Sequence, residues 1–117
     1  MNAHLQIMNL AGPLIGTLTQ AQGALFSAII DAVQEEITAQ VREDAADSTQ
    51  CNDSLVLAAV LLSVSAMRKM KDSEISDFTA GTLKVSLRDD HSVYAQMADR
   101  LLAPWRKAGF AFRGVSG

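Results

Sequence analysis

The chain has one cysteine, two prolines, six aromatic residues and, before Arg42, no lysine or arginine at all. Each shortage excludes something. A single thiol, Cys51, rules out an internal disulfide framework; its setting in a polar stretch reads as an ordinary thiol in a reducing compartment. With four Phe, one Trp and one Tyr in 117 residues, the core has to be built from Leu, Val, Ile, Ala and Met, the composition of packed helices. The apolar opening MNAHLQIMNLAGPLIGTL lacks the positive flank of a secretory signal and is broken by Ala-Gly-Pro, which argues against export by a signal. Gly12 and Gly16 have the spacing of a membrane-helix contact, but Pro13 between them reads as a turn. Residues 1–16 are therefore expected to be an arm that packs on a neighbour.

What the chain does have is SLVLAAVLLSVSAMRKM, Ser54 to Met70, where only Ser63 and Ser65 interrupt the apolar run from Leu55 to Met67. At about 20 apolar residues per bilayer crossing the run is short, so it reads as the buried central helix of a small bundle. Leu57, Leu61, Val64 and Met67 would face one neighbour, and Val56, Ala59 and Val60 another. Asn52 and Asp53 are its candidate caps, and Arg68, Lys69 and Lys71 suit the negative end of its dipole.

Ahead of it, from Thr17 to about Asp44, helical spacing puts Leu18, Gln22, Leu25, Phe26, Ile29, Ile30, Val33, Ile37 and Val41 on one face. Ser27, Asp31, Gln34, Glu35, Thr38 and Arg42 fall opposite. Thr17 or Thr19 would cap this helix. Gly23 either weakens it or admits a close neighbour. The polar run from Glu43 to Asp53 reads as the connecting loop. Beyond the central helix, Leu83, Val85 and Leu87 alternate with polar residues, which predicts a half-buried strand near 82–88, with Ile75 to Phe78 able to pair back as a hairpin. Asp89, Asp90 or Ser92 would cap a last helix with Val93, Tyr94, Met97, Ala98, Leu101, Trp105 and Ala108 on its buried face and a kink at Pro104. Residues 109–117 follow as a tail in which Phe110 and Phe112 lie on one side. The fold class expected is mainly α: one domain with a helical core over 17–108, a short β-hairpin or strand element, and extended termini.

Net charge is −3, but residues 1–66 carry one base against seven acids, while residues 67–117 carry nine bases against six acids. An acidic body with a basic end suits contact between copies, one end meeting the other. Asp31 and Glu35 on the acidic side, and Arg106, Lys107, Phe110, Phe112, Arg113 and Val115 on the basic side, are the candidate interface residues. No catalytic motif, phosphate-binding glycine loop or paired metal-ligand spacing is present. Asp89-Asp90-His91 are adjacent and point apart, which suits capping better than metal binding, and His4 stands alone. Neither an enzyme nor a cofactor is expected.

The order of features, with Leu55 to Glu74, the GTLKVS run from Gly81 to Ser86, and the ending LLAPWRKAGFAFRGV from Leu101 to Val115, resembles the head-tail connector (adaptor) proteins of tailed bacteriophages and prophages. The resemblance implies a virion structural protein, assembled in the host cytoplasm, that forms a ring at the portal vertex. Its partners would be copies of itself, the portal protein and the next neck or tail protein. DNA would pass through without sequence-specific binding, and no membrane is involved. A small helical protein-binding module, such as an assembly or secretion chaperone gripping a helix beside Leu55 to Met67, is the alternative.

Overall fold

The computed structural model describes residues 3–45, 48–73 and 92–107, and among these the chain is mainly helical. Its helices are α1 (His4–Ile15), α2 (Gln20–Gln40), α3 (Thr49–Ser73) and α4 (Val93–Leu102), with 3-10 turns at Glu43–Ala45 and Ala103–Trp105. α3 is the centre, packed against α1, α2 and α4. From Leu55 to Met67 every residue except Leu57 is buried. Leu57, expected to face a neighbour, is 46% exposed. α3 is also longer than its apolar run suggests. Its segment Thr49–Lys69 is long and apolar enough to cross a membrane by length and composition, but 72% of the most apolar window is buried inside the bundle.

The start of α3 corrects the sequence reading. Neither Asn52 nor Asp53 begins it: the helix starts at Thr49 because Ser48 supplies both partners, its Oγ accepting the Cys51 N–H at 3.3 Å and its carbonyl the Asn52 N–H at 3.0 Å. Cys51 therefore lies on the first turn of a core helix, fully buried, and not in an exposed loop. An early cap turned five residues of supposed loop, 49–53, into helix.

The first sixteen residues depart further from expectation. They are not an extended arm: residues 4–15 form α1, and Ile7 and Ala11 are fully buried, with Met8 and Ile15 packed against the core. These side chains recur at i, i+1, i+4 and i+8, a helical stripe that the Gly12-Pro13 pair does not interrupt. Pro13 sits in the last turn of α1, where its fixed φ still fits the helix and only one hydrogen bond is forfeited. Gly16 then ends it at φ +81°, donating to the Gly12 carbonyl at 3.0 Å.

α2 forms within the span its spacing predicts but is shorter than Thr17 to Asp44, running from Gln20 to Gln40. Thr19 caps it in a capping box: Gln22 N–H donates to Thr19 Oγ1 at 3.1 Å, and Thr19 N–H donates to Gln22 Oε1 at 3.0 Å. Phe26, Ile29, Ile30, Val33 and Ile37 are buried. Gln34, expected on the outer face, is buried as well, because its Oε1 accepts the Ala3 N–H at 2.9 Å where α1 crosses α2. Nothing lies within 4 Å of a Cβ built at Gly23, so no close helix approach requires glycine there.

α4 is rotated from its expected face. Ala95, Ala98 and Leu102 are buried, while Val93 and Met97 are 68% and 46% exposed. Two contacts set that rotation: the capping residue Ser92, whose Oγ accepts the Ala95 N–H, lies 3.1 Å from Ser65 Oγ, and Arg68 sits over the Tyr94 ring at 5.2 Å. The two alanines let α4 lie close against α3. Pro104 does not kink a continuing helix; α4 stops at Leu102 and the proline joins the 3-10 turn. Past that turn the chain returns to the end of α2, where Val41 and Arg106 form an antiparallel bridge. Arg42 N–H donates to the Trp105 carbonyl at 2.8 Å, and Lys107 N–H to the Gln40 carbonyl at 2.7 Å. The strand near 82–88, the hairpin at 75–78, the Asp89-Asp90-His91 run, Ala108 and the tail 109–117 lie outside the described residues.

Candidate functional site

Of the expected interface residues, Asp31 and Glu35 lie one turn apart and exposed on α2. Glu35 forms no ion pair among the described residues. Asp31 is held by His4: the histidine Nδ1 lies 2.6 Å from Asp31 Oδ1, and its Nε2 lies 3.2 Å from Ser27 Oγ. A carboxylate only accepts, so Nδ1 carries the proton shared with Asp31.

Hydroxyl, imidazole and carboxylate in this order form the relay of a general-base nucleophile. Acyl transfer also needs donors aimed at a developing oxyanion beside the hydroxyl. Ser27 and Asp31 stand in the interior of α2, where backbone amides are committed to the helix ladder. The cluster's visible effect is mechanical. α1 has no side-chain cap, and His4 with the Ala3–Gln34 bond pins its first turn onto α2. The signal for this contact was in the sequence, since His4 lies on the same helical stripe as Ile7, Met8, Ala11 and Ile15.

Arg106 is not available to a neighbour in the way its sequence position suggests. Its side chain is 10% exposed, with one guanidinium nitrogen 2.7 Å from Asp99 Oδ1 and Nε donating to Gln40 Oε1 at 3.1 Å. The cause is the return of the chain to α2, which draws the guanidinium inside. Lys107 is exposed. Phe110, Phe112, Arg113 and Val115 lie outside the described residues.

The surface features that the sequence reading missed are apolar. Leu5 is 74% exposed, Leu10 49% and Leu14 40%, joining Leu57, Val93 and Met97. Val93, Met97 and Arg100, at i, i+4 and i+7, share the outward stripe of α4, and Arg100 forms no ion pair among the described residues. A cleft of about 300 Å³ lies where α3 ends and α4 begins, lined by Ser65, Arg68, Lys69, Ser92, Val93 and Tyr94. Arg68, one of its lining residues, also donates to the Leu14 carbonyl at 3.0 Å, tying α3 to the end of α1. No group of three or more metal-ligand side chains occurs among the described residues.

Among the described residues the chain is mainly helical, with a buried apolar core and both apolar and charged side chains on its surface. No family model, no curated protein and no solved structure matches the chain.

Proposed function

We propose that this chain is a structural assembly protein of the head-tail connector kind, forming a ring at the portal vertex of a tailed bacteriophage or prophage and joining head to neck or tail. It acts through protein contacts rather than catalysis. Its partners are other copies of itself, the portal protein and the next neck or tail component, with DNA passing through unread and no membrane involved.

The observation that carries this reading is the apolar surface left over after the core is filled. Leu5, Val93 and Met97 stand outside a bundle whose interior already holds some twenty buried apolar side chains. Val93 and Met97, one turn apart on α4, expose neighbouring aliphatics, and adjacent exposed aliphatics support a protein-contact surface. The charge asymmetry of the chain, acidic in its first part and basic in its last, supports contact between unlike patches of successive copies, as a closed ring requires.

The alternative, a chaperone holding a partner helix beside Leu55 to Met67, draws less support because α1, α2 and α4 already cover that stretch. Native mass spectrometry of the full chain, alone and with the portal protein encoded in the same phage or prophage genome, separates the two. Rings or a stable portal complex are expected. A persistent monomer or dimer that binds isolated helical peptides would favour the chaperone.

A further inference from the structure

Two exposed patches of opposite charge lie on different helices. The first is on α1 and α2. His4 ties the first turn of α1 to Asp31, and the patch consists of Leu5, the next residue on α1 and the most exposed large aliphatic of the described residues, with the exposed acids Asp31 and Glu35 one turn apart on α2. The second is on α4, where Val93, Met97 and Arg100 form one narrow outward stripe. α1 and α2 pack on each other and on α3, and α4 also packs on α3. The acid at Asp99, next to Arg100, is engaged with Arg106, which leaves the α4 stripe cationic.

We infer that the occupant of the α4 stripe is a second copy of this chain, docking its Leu5, Asp31 and Glu35 patch, with Glu35 meeting Arg100 and Leu5 packing between Val93 and Met97. This rests on the ring reading above and names the surfaces that reading needs. Each patch is aliphatic with one sign of charge at its edge, so each is poorly suited to a copy of itself and well suited to the other. Glu35 against Glu35, or Arg100 against Arg100, would repel. The contact is therefore heterologous, and every copy retains one free patch of each kind, so assembly continues past a dimer and closes into a ring where the rotation between copies allows. The aliphatic residues supply affinity, and the charges select orientation.

The test is a charge-swap cycle on the full chain, read by sedimentation velocity and native mass spectrometry. All substitutions are on exposed positions and should leave the fold intact by circular dichroism. Glu35→Arg and Arg100→Glu are each expected to weaken self-association about tenfold, and the double variant carrying both to recover most of that loss. An equimolar mixture of the two single variants should also assemble, in alternation. Met97→Ser together with Val93→Ser should reduce association without a charge remedy. If the single variants assemble as the wild type does, or the double is worse than either, the ring reading stands and these patches are wrong. If the wild type stays monomeric at every concentration and the mixture does too, both inferences fall.

Discussion

His4 Nδ1 lies 2.6 Å from Asp31 Oδ1, a contact across 27 residues that fixes the first turn of α1 to the middle of α2. Ser27 on the other ring nitrogen and Gln34 on the Ala3 amide complete the attachment. Asp31 is largely solvent-exposed, so the pair is worth a modest amount, about 1 kcal/mol. His4→Ala is expected to lower stability by about that much while raising amide exchange in residues 3–8 far more than in α2 or α3. Ser27→Ala should do less. Because Ser27 lacks oxyanion donors on its own helix, an active-site serine probe such as a fluorophosphonate should leave it unlabelled; stoichiometric labelling at Ser27 would overturn the mechanical reading.

Ser63 is fully buried in the middle of α3, and its Oγ has no hydrogen-bond partner among the described residues. Burying a hydroxyl without a partner costs roughly 1–3 kcal/mol. Alanine fits the same space, keeps helix propensity and removes the unmet group, so Ser63→Ala is expected to stabilise the protein by about 1 kcal/mol in urea unfolding. Ser65→Ala should go the other way, since its hydroxyl meets that of Ser92 at the start of α4. A loss of stability in Ser63→Ala would mean that this hydroxyl is satisfied.

The buried thiol of Cys51 gives the protein a pH dependence of known sign. Desolvation raises its pKa above the ordinary value of 9.0, and the Arg42 charge only partly offsets this. Below the unfolded value the thiol is neutral in both states and its contribution is intact. As pH rises past that value the unfolded chain ionises first, so stability falls through the window up to the raised folded pKa, by at most about 1.4 kcal/mol per pH unit. Melting temperatures between pH 7 and 10 should fall more steeply for wild type than for Cys51→Ala. Cys51→Ser should lower stability by about 1 kcal/mol or more at neutral pH, because it buries a hydroxyl where a weakly polar thiol sat. Parallel pH profiles for wild type and Cys51→Ala would place the thiol in contact with water.

These residues also show which parts of the fold could be read from the sequence. α2 was legible because six apolar residues, Leu25, Phe26, Ile29, Ile30, Val33 and Ile37, share one stripe and Thr19 stands with Gln22 three residues on, two independent signals for one helix. The central burial of α3 was legible from its lack of polar residues. The helicity of α1 was obscured by treating Gly12-Pro13 as a break, although a proline near a helix end costs far less than one in the middle. The rotation of α4 was not legible: Tyr94, Ala95, Ala98 and Leu102 make one apolar stripe and Val93, Met97 and Leu101 another. What chose between them was Ser92 meeting Ser65 across 27 residues, which no local spacing encodes. The surface patches follow from that rotation, so Val93 and Met97 were assigned to the core. The enclosure of the Arg106 guanidinium was not legible for a similar reason, because only the return of the chain to Gln40 and Val41 brings it inside.

That return makes Arg106 the residue on which the closure of the bundle depends. Its guanidinium meets Asp99 at 2.7 Å and Gln40 at 3.1 Å, and its backbone lies in the bridge that brings residues 105–107 against residues 40–42. Arg106→Ala would leave the side-chain Oε1 of the fully buried Gln40 without its donor and the half-buried Asp99 without its cation. Removing a buried partner costs more than losing a surface pair, and with Asp99 partly wetted the expected loss is about 2 kcal/mol. Arg106→Lys should recover only part of it, since an ammonium cannot serve two acceptors in the fork geometry of arginine. Exchange at the Arg42 and Lys107 amides should accelerate in step with the loss. An interface role predicts the reverse pattern: unchanged melting of the monomer with self-association abolished. Urea unfolding at a concentration where the chain is monomeric, paired with sedimentation of the same variant, decides between the two. An Arg106→Ala protein that melts like wild type but fails to associate would return Arg106 to the contact surface.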